Sequence, residues 1–151
     1  FPAGPPQRRV ADSPELVIYI DGGSRGNPGP AGFGVHAEDG AGRVVAEHYG
    51  FIGTATNNVA EYRALLHAFE FARQRAAQRV EIRSDSELVV KQMNGVYKVK
   101  HPDMQELFRR ASTLRRGFAS AVLRHVRREQ NREADALANR AMDLRESKLE
   151  G

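Results

Sequence analysis

The sequence predicts an α/β fold: a mixed five-stranded sheet with helices on its faces, in the order βββαβααβα. Two observations carry this prediction. Three strand-like segments follow one another with only short turns between them, which indicates an antiparallel meander. A long amphipathic segment comes next, and it is long enough to cross the sheet and let the following strand lie parallel to the first.

The first strand is predicted at residues 16–20, where the run LVIYI is apolar and rich in β-branched residues, as in a strand buried on both faces. Asp21 follows without a break, and residues 22–30 then hold four glycines and two prolines. An acid at the end of a central strand is held by a rigid element and faces open space. The glycines after it lack side chains, so a polymer backbone could approach closely.

The later elements follow from the spacing of the apolar residues. Asn57 or Asn58 is predicted to cap the long helix, which ends near Gln74. In order, the predicted elements after the first strand are strands at 31–38 and 43–52, the long helix, a strand at 79–83, helices at 86–93 and 103–116, a strand at 119–126 and a helix at 131–144.

Length and composition bound the class of protein. The 151 residues suit one domain, predicted at residues 15–145, with 1–14 as a disordered tail or linker and 146–151 as a C-terminal tail. Such ends leave open that this is one domain of a longer chain, and we expect a monomer. The net charge of +4 leans towards polyanionic partners.

Two absences in the sequence narrow the class further. The chain has no cysteine, which excludes disulfides and thiolate metal sites and fits a cytoplasmic protein. No apolar run approaches the ~20 residues of a membrane span, and the first residues do not resemble a secretory signal. We therefore expect a cytoplasmic protein that does not enter a membrane.

Four acids occupy positions where they could meet. Asp21 and Asp85 each follow a strand, and if the two strands are parallel neighbours, the carboxylates emerge side by side. Glu61 and Asp135 are expected in the first turns of two helices that could reach the same place, although either acid could instead serve only its helix dipole. Like charges held this close repel, and a divalent cation relieves the repulsion. Oxygen ligands favour Mg²⁺ or Mn²⁺ over Zn²⁺, and two such ions are the usual arrangement for cutting phosphodiesters.

Four segments carry these acids: DGGSRGNPGPAG from Asp21, TNNVAEYRAL from Thr56, SDSELVVKQMNG from Ser84 and REQNREADALAN from Arg128. In this order they resemble the type 1 ribonucleases H of the compact bacterial and archaeal kind. The resemblance implies an endonuclease that hydrolyses the RNA strand of RNA–DNA hybrids. It also implies two Mg²⁺ ions held by the four acids, with Mn²⁺ as a substitute, and products with 5′-phosphate and 3′-hydroxyl ends.

The resemblance further implies three kinds of substrate contact. These are minor-groove contacts by Asn27, Asn57 and Asn58, backbone contacts to ribose near Gly22, and a DNA-phosphate pocket that includes Thr56. Glu61 is expected to reach the 2′-hydroxyl that distinguishes RNA from DNA. Asn58 as a simple helix cap and Asn27 as a simple turn residue remain alternatives. Glu87 stands where some family members have glutamine, which leaves that contact open.

The chain departs from many family members in two loops. Residues 95–102, GVYKVKHP, are short and lack the basic, Trp-containing handle, so we expect Arg109, Arg110 and Arg128 to supply substrate affinity, unless they form only a solvated surface. The segment before Asp135 is compact and lacks the family's loop histidine. His125 is predicted to be a structural residue of the fifth strand, which leaves Arg128 or Glu129 to serve in the histidine's place.

Two other functions remain open. A nuclease of this fold could instead act on double-stranded RNA or on a DNA junction, although the three asparagines favour the hybrid. A non-catalytic nucleic-acid-binding domain is the second alternative, and the presence of all four acids argues against it.

Overall fold

The computed structural model describes residues 13–151. Its elements are β1 (Leu16–Ser24), β2 (Gly29–Asp39), β3 (Val44–Ala55), α1 (Asn57–Gln74), β4 (Arg79–Ser84), α2 (Glu87–Met93), α3 (Pro102–Arg116), β5 (Ser120–His125) and α4 (Arg132–Leu144), with a 3₁₀ turn at Arg128–Gln130. The predicted order βββαβααβα is therefore confirmed.

The five strands form one mixed sheet in the spatial order β3-β2-β1-β4-β5. β1 and β2, and β2 and β3, pair antiparallel, whereas β4 lies parallel to both β1 and β5. α1 makes the crossover from β3 to β4, because only a connection of that length can bring the chain back in the parallel direction. The sheet thus places β1 and β4 side by side at its centre, as expected.

Helices cover both faces of the sheet. On one face the fully buried side chains of Tyr62, Leu65 and Phe69 on α1 join the main hydrophobic core. α4 packs on the opposite face, over β2. A Cβ at Gly34 would lie 2.2 Å from the carbonyl oxygen of Ala134, so α4 comes this near to β2 only because residue 34 is glycine.

β1 is longer than predicted and continues through Asp21 to Ser24, because Gly22, Gly23 and Ser24 still pair with β2. Its pairing with β4, however, stops at Ile20 opposite Ser84. Asp21 therefore lies at the end of the β1–β4 ladder and not at the end of strand β1.

The start of α1 also differs from the prediction. Thr56 caps the helix, since its hydroxyl oxygen accepts a hydrogen bond from Val59 N–H at 3.2 Å, and the prediction of Asn57 or Asn58 as the cap is wrong. Because α1 begins at Asn57, Glu61 lies in its second turn and not in the first. A role for Glu61 in the helix dipole is correspondingly weak, because that effect fades beyond the first turn.

The C-terminal segment, residues 146–151, lies along the outer edge of β3. Tyr49 and Lys148 form an antiparallel bridge, with N–H to carbonyl distances of 2.9 and 2.8 Å. Ser147 Oγ also accepts a hydrogen bond from Phe51 N–H at 2.9 Å. This segment, predicted as a C-terminal tail, is therefore packed against the edge of the domain.

The tail predicted at residues 1–14 lies outside the described residues except for its last two. Ser13 is attached to the domain, because its carbonyl oxygen accepts a hydrogen bond from Arg79 Nε at 2.8 Å. None of the helices within residues 13–151 has the length and hydropathy needed to cross a membrane.

Candidate active site

The ends of two parallel strands bring the first two acids together. Asp21 and Asp85 are the residues directly after the last β1–β4 pair, Ile20 and Ser84. The Asp21 residue is 8% exposed, and the Asp85 side chain is 15% exposed. Both carboxylates therefore emerge at the same end of the β1–β4 ladder, from a largely buried position.

Gly22 allows α1 to bring the third acid, Glu61, to the same end of the β1–β4 ladder. A Cβ at residue 22 would lie 2.4 Å from the backbone nitrogen of Glu61, so any side chain there would push the helix away. The backbone N–H of Gly22 also donates a hydrogen bond to the Glu61 carboxylate. The glycine is thus required for the packing of α1 against β1.

Asp21, Glu61 and Asp85 form a compact cluster. One carboxylate oxygen from each lies within 4.8 Å of the others. Asp135, in the first turn of α4, lies near enough to Asp21 to raise the pKa of its carboxyl but lies outside this group of three. All four acids line one cleft of about 600 Å³. The structure therefore brings together every acid that the sequence singled out.

Burial and mutual repulsion raise the pKa values of two of these acids. Burial, the charge of Asp85 and the proximity of Asp135 together raise the pKa of Asp21 to about 8. The pKa of Glu61 is also raised well above its ordinary value, first by burial and then by the charges of Asp21 and Asp85. Glu61 Oε2 is buried and has no hydrogen-bond partner in the described structure. An unpaired oxygen within a cluster of carboxylates is the donor set that a hard divalent cation such as Mg²⁺ prefers.

Two of the predicted asparagines connect the β1–β2 loop to the start of α1. Asn27 Oδ1 accepts a hydrogen bond from Asn57 N–H at 3.0 Å, and Asn57 Oδ1 accepts one from Ser24 N–H at 2.7 Å. With both amide oxygens used, the two NH₂ groups have no protein partner among the described residues. Each amide therefore keeps both hydrogens of its NH₂ group for another partner.

A smaller pocket of about 230 Å³ lies next to the cleft. Asn27, Thr56, Asn58 and His101 all line it, and Asn58 also lines the main cleft. The predicted groove and phosphate-pocket residues are therefore close neighbours, on the side of the cleft formed by α1.

The predicted arginines separate into two groups. Arg128 lines the cleft, with Nε 4.0 Å from an oxygen of Asp85. Arg109 is instead paired with Glu106 on α3 at 2.6 Å, and Arg110 lines a different pocket between α1, α3 and the C-terminal segment. The structure thus brings Arg128 to the carboxylates but not Arg109 or Arg110.

Sequence reasoning gave no site role to three residues of this region. Arg25 and His125 both line the cleft, and Arg25 also pairs with Asp143 on α4. Asn131 is fully buried beside the cleft. His125 lies in β5, as predicted, but its side chain is exposed at the end of the strand and lines the cleft. It pairs with Ser84 at the end of the parallel β4–β5 ladder, one register position before Asp85.

Comparison with known proteins identifies the family of this chain. Residues 19–141 match the sequence family described as "Reverse transcriptase-like". Over 125 residues the chain is 47% identical to "Ribonuclease HI" of Halobacterium salinarum, covering 83% of this chain and 63% of that protein. The N-terminal RNase H domain of a Mycobacterium tuberculosis protein has a TM-score of 0.84 and 47% identity, covering 87% of this chain and 96% of that one. The chain belongs to the type 1 ribonuclease H family.

A further ribonuclease H structure, that of LC11-RNase H1 in complex with RNA/DNA hybrid, has a TM-score of 0.82 at 44% identity and covers 86% of this chain and 98% of that one. The full M. tuberculosis protein is named "Bifunctional protein" and is 48% identical to this chain over 131 residues. This chain spans 36% of the length of that protein. The chain thus matches whole ribonuclease H domains but spans only 36% of the bifunctional protein and 63% of the H. salinarum protein.

Proposed function

We propose that this ribonuclease H domain hydrolyses the RNA strand of RNA–DNA hybrids, using two Mg²⁺ ions held by Asp21, Glu61, Asp85 and Asp135. The observation that carries the proposal is the set of three carboxylate oxygens within 4.8 Å of one another, with Asp135 lining the same cleft. The RNA/DNA hybrid in the complex of LC11-RNase H1 supports the choice of substrate. Mn²⁺, which also prefers oxygen ligands, is proposed as a substitute.

Asp21 is the central residue of the proposed mechanism, because it interacts with each of the other three acids. When bound, the two ions would supply an activated water and would stabilise the leaving oxygen. The protein's own part is to hold the four carboxylates together against their repulsion, and the proposed products carry 5′-phosphate and 3′-hydroxyl ends.

Substrate contacts are proposed on the α1 side of the cleft. The free NH₂ groups of Asn27 and Asn57 suit the minor groove, where every base pair presents acceptors. Asn58 lies between these contacts and the carboxylates, and backbone atoms near Gly22 are proposed to meet ribose. The Thr56 hydroxyl accepts from Val59 N–H and keeps its own proton to donate to a DNA phosphate.

The cellular setting is also part of the proposal. A cytoplasmic location is supported by the absence of cysteine from all 151 residues, which suits a reducing compartment. We propose a monomeric domain that can occur within a longer chain, as the name and length of the bifunctional M. tuberculosis relative suggest.

Strand-specific cleavage tests the proposed function. The protein should cut the labelled RNA strand of a hybrid in the presence of Mg²⁺ and should leave both strands intact in EDTA. Matched duplex RNA and duplex DNA are the comparison substrates, and the Asp21→Asn variant purified in parallel excludes a contaminating nuclease. Failure to cut the hybrid with either Mg²⁺ or Mn²⁺ would refute the proposal. Faster cutting of duplex RNA would favour the alternative substrate.

The two groups of arginines are expected to affect the salt dependence of substrate affinity differently. Arg128→Ala should raise KM with little change in kcat and reduce the slope of log affinity against log salt by about one phosphate contact. The Arg109→Ala, Arg110→Ala double variant, which removes twice the charge, should keep the wild-type slope, because neither side chain lines the cleft. Binding titrations at several salt concentrations measure both. A flatter slope in the double variant would restore the prediction that these two arginines replace the handle.

A further inference from the structure

Asn131 is a fully buried polar residue next to the carboxylate cluster, with 0% exposure. It occupies the N-cap position of α4, where an asparagine side chain usually accepts a hydrogen bond from its own helix. Here it makes no capping bond, and its Nδ2 instead donates to the carbonyl oxygen of Ile20 on β1 at 2.8 Å. The side chain therefore binds the neighbouring strand and not its own helix.

This hydrogen bond acts on the backbone at Asp21. The Ile20 carbonyl belongs to the planar peptide unit that leads into Asp21, so fixing the oxygen fixes the orientation of that unit. At the other end, the carbonyl oxygen of Asn131 accepts a hydrogen bond from Asp135 N–H at 3.1 Å. One residue thus connects the backbone of Asp21 to that of Asp135.

The other half of the Asn131 amide argues against a purely stabilising role. Its Oδ1 is buried and has no hydrogen-bond partner among the described residues. An unpaired buried acceptor destabilises a fold, and an apolar side chain at this position would avoid that cost. The amide is therefore better explained by what its nitrogen holds than by its contribution to stability.

We propose that Asn131 is a positioning residue, which holds Asp135 at a fixed place relative to Asp21 and thereby sets the affinity of the cluster for divalent cations. The inference rests on the proposed two-ion function. Without the amide, the first turn of α4 loses its hydrogen bond to β1, and Asp135 is no longer fixed beside Asp21. Side chains that orient metal ligands in this way typically change metal affinity or activity by about 10–100-fold when removed.

Two variants separate positioning from helix capping. Asn131→Ala removes the amide and offers no cap, whereas Asn131→Ser offers a good N-cap but is too short to replace the amide donor to Ile20. Both should lower kcat by about 10–100-fold with little change in KM for the hybrid, and added Mn²⁺ should restore part of the loss. Calorimetric titration of the substrate-free proteins should show correspondingly weaker Mn²⁺ binding.

Gln92→Leu is the matched control. Gln92 is also a buried amide, and its Oε1 accepts a hydrogen bond from Tyr62 O–H at 2.6 Å, but neither residue lines the cleft. This variant should lose stability while keeping wild-type Mn²⁺ affinity and kcat at a temperature where it is folded.

Each outcome decides the proposal. Wild-type Mn²⁺ affinity in both Asn131 variants would overturn it. So would failure of both to fold when Gln92→Leu folds, because Asn131 would then serve the fold as a whole. If the wild-type protein does not cut the hybrid, the proposed function fails, but the Mn²⁺ titrations still decide the role of Asn131.

Discussion

Asp21→Asn is expected to lower kcat for hybrid cleavage by several orders of magnitude while the protein remains folded. The amide keeps the shape of the side chain but removes the charge at the one acid that interacts with the other three. Asp85→Asn should have a similar effect, because its carboxylate belongs to the same cluster. Steady-state cleavage at saturating Mg²⁺ measures the loss. Activity within about tenfold of wild type, or ~1.4 kcal/mol in the barrier, would contradict the two-ion assignment.

The same substitution should change how stability depends on pH. The pKa of Asp21 is raised from 3.8 to about 8, so the folded protein binds this proton more tightly than the unfolded chain does. The resulting stability is present below about pH 4 and is lost as the pH rises towards 8. In EDTA, the wild-type Tm should therefore fall across this range more steeply than that of Asp21→Asn. Mg²⁺ should raise the wild-type Tm by binding the folded state.

Asp39→Asn is the control for both measurements. The Asp39 carboxylate accepts hydrogen bonds from the backbone N–H groups of Ala41 and Arg43 in the β2–β3 turn. These contacts lower its pKa, so its contribution to stability is lost only as the pH falls into the acidic range. This variant should keep wild-type activity and the wild-type slope of Tm from neutral pH to about pH 8. Equal slopes in the wild type and Asp21→Asn would argue against a protonated cluster.

The second large effect is a requirement for ribose. A DNA strand that carries a block of about four ribonucleotides, paired with DNA, should be cut within the block, and its all-deoxy counterpart should not be cut. Glu61 is the residue proposed to make this distinction, because its buried Oε2 has no protein partner among the described residues and Asn58, one turn earlier, lines the same cleft. Loss of the 2′-hydroxyls would leave such polar groups unpaired. Glu61→Gln should be nearly inactive, since the amide lacks the charge that the cation requires.

Glu70→Gln on the same helix is the control for this prediction. Glu70 pairs with Arg73 on the surface and lines a different pocket, so the substitution should leave cleavage of the chimeric strand unchanged. Gel analysis of the paired chimeric and all-deoxy strands gives the result. Efficient cutting of the all-deoxy strand would refute an RNA-specific enzyme, while the fold and the carboxylate cluster would stand.

The element order and the positions of the four acids could be predicted because they depend on local patterns. Strand and helix periodicities are visible in the sequence, and the strand-end rule needs only the adjacency of β1 and β4. The cap of α1 could not be predicted, because Thr56, Asn57 and Asn58 are all good capping residues. Which of them caps the helix depends on Asn27 in the β1–β2 loop, whose Oδ1 accepts a hydrogen bond from Asn57 N–H.

The roles of Gly22 and of the arginines depend on contacts distant in sequence. A glycine after Asp21 is visible in the sequence, but the backbone of Glu61 that requires it lies almost forty residues further on. Likewise, helical periodicity shows that Arg109 and Arg110 are on the surface, yet it does not show that no residue of α3 lines the cleft. Asn131 gave no signal, because its partner is a backbone carbonyl.

The C-terminal segment on β3 also affects how this protein behaves at high concentration. An outer strand offers unpaired N–H and C=O groups, which a second chain can extend into an intermolecular sheet. Here Tyr49 uses both of its groups on Lys148, and Phe51 N–H is taken by Ser147. The opposite border, β5, is only six residues long and carries the exposed Arg124 and His125. Both borders of the sheet are therefore protected from edge-to-edge aggregation.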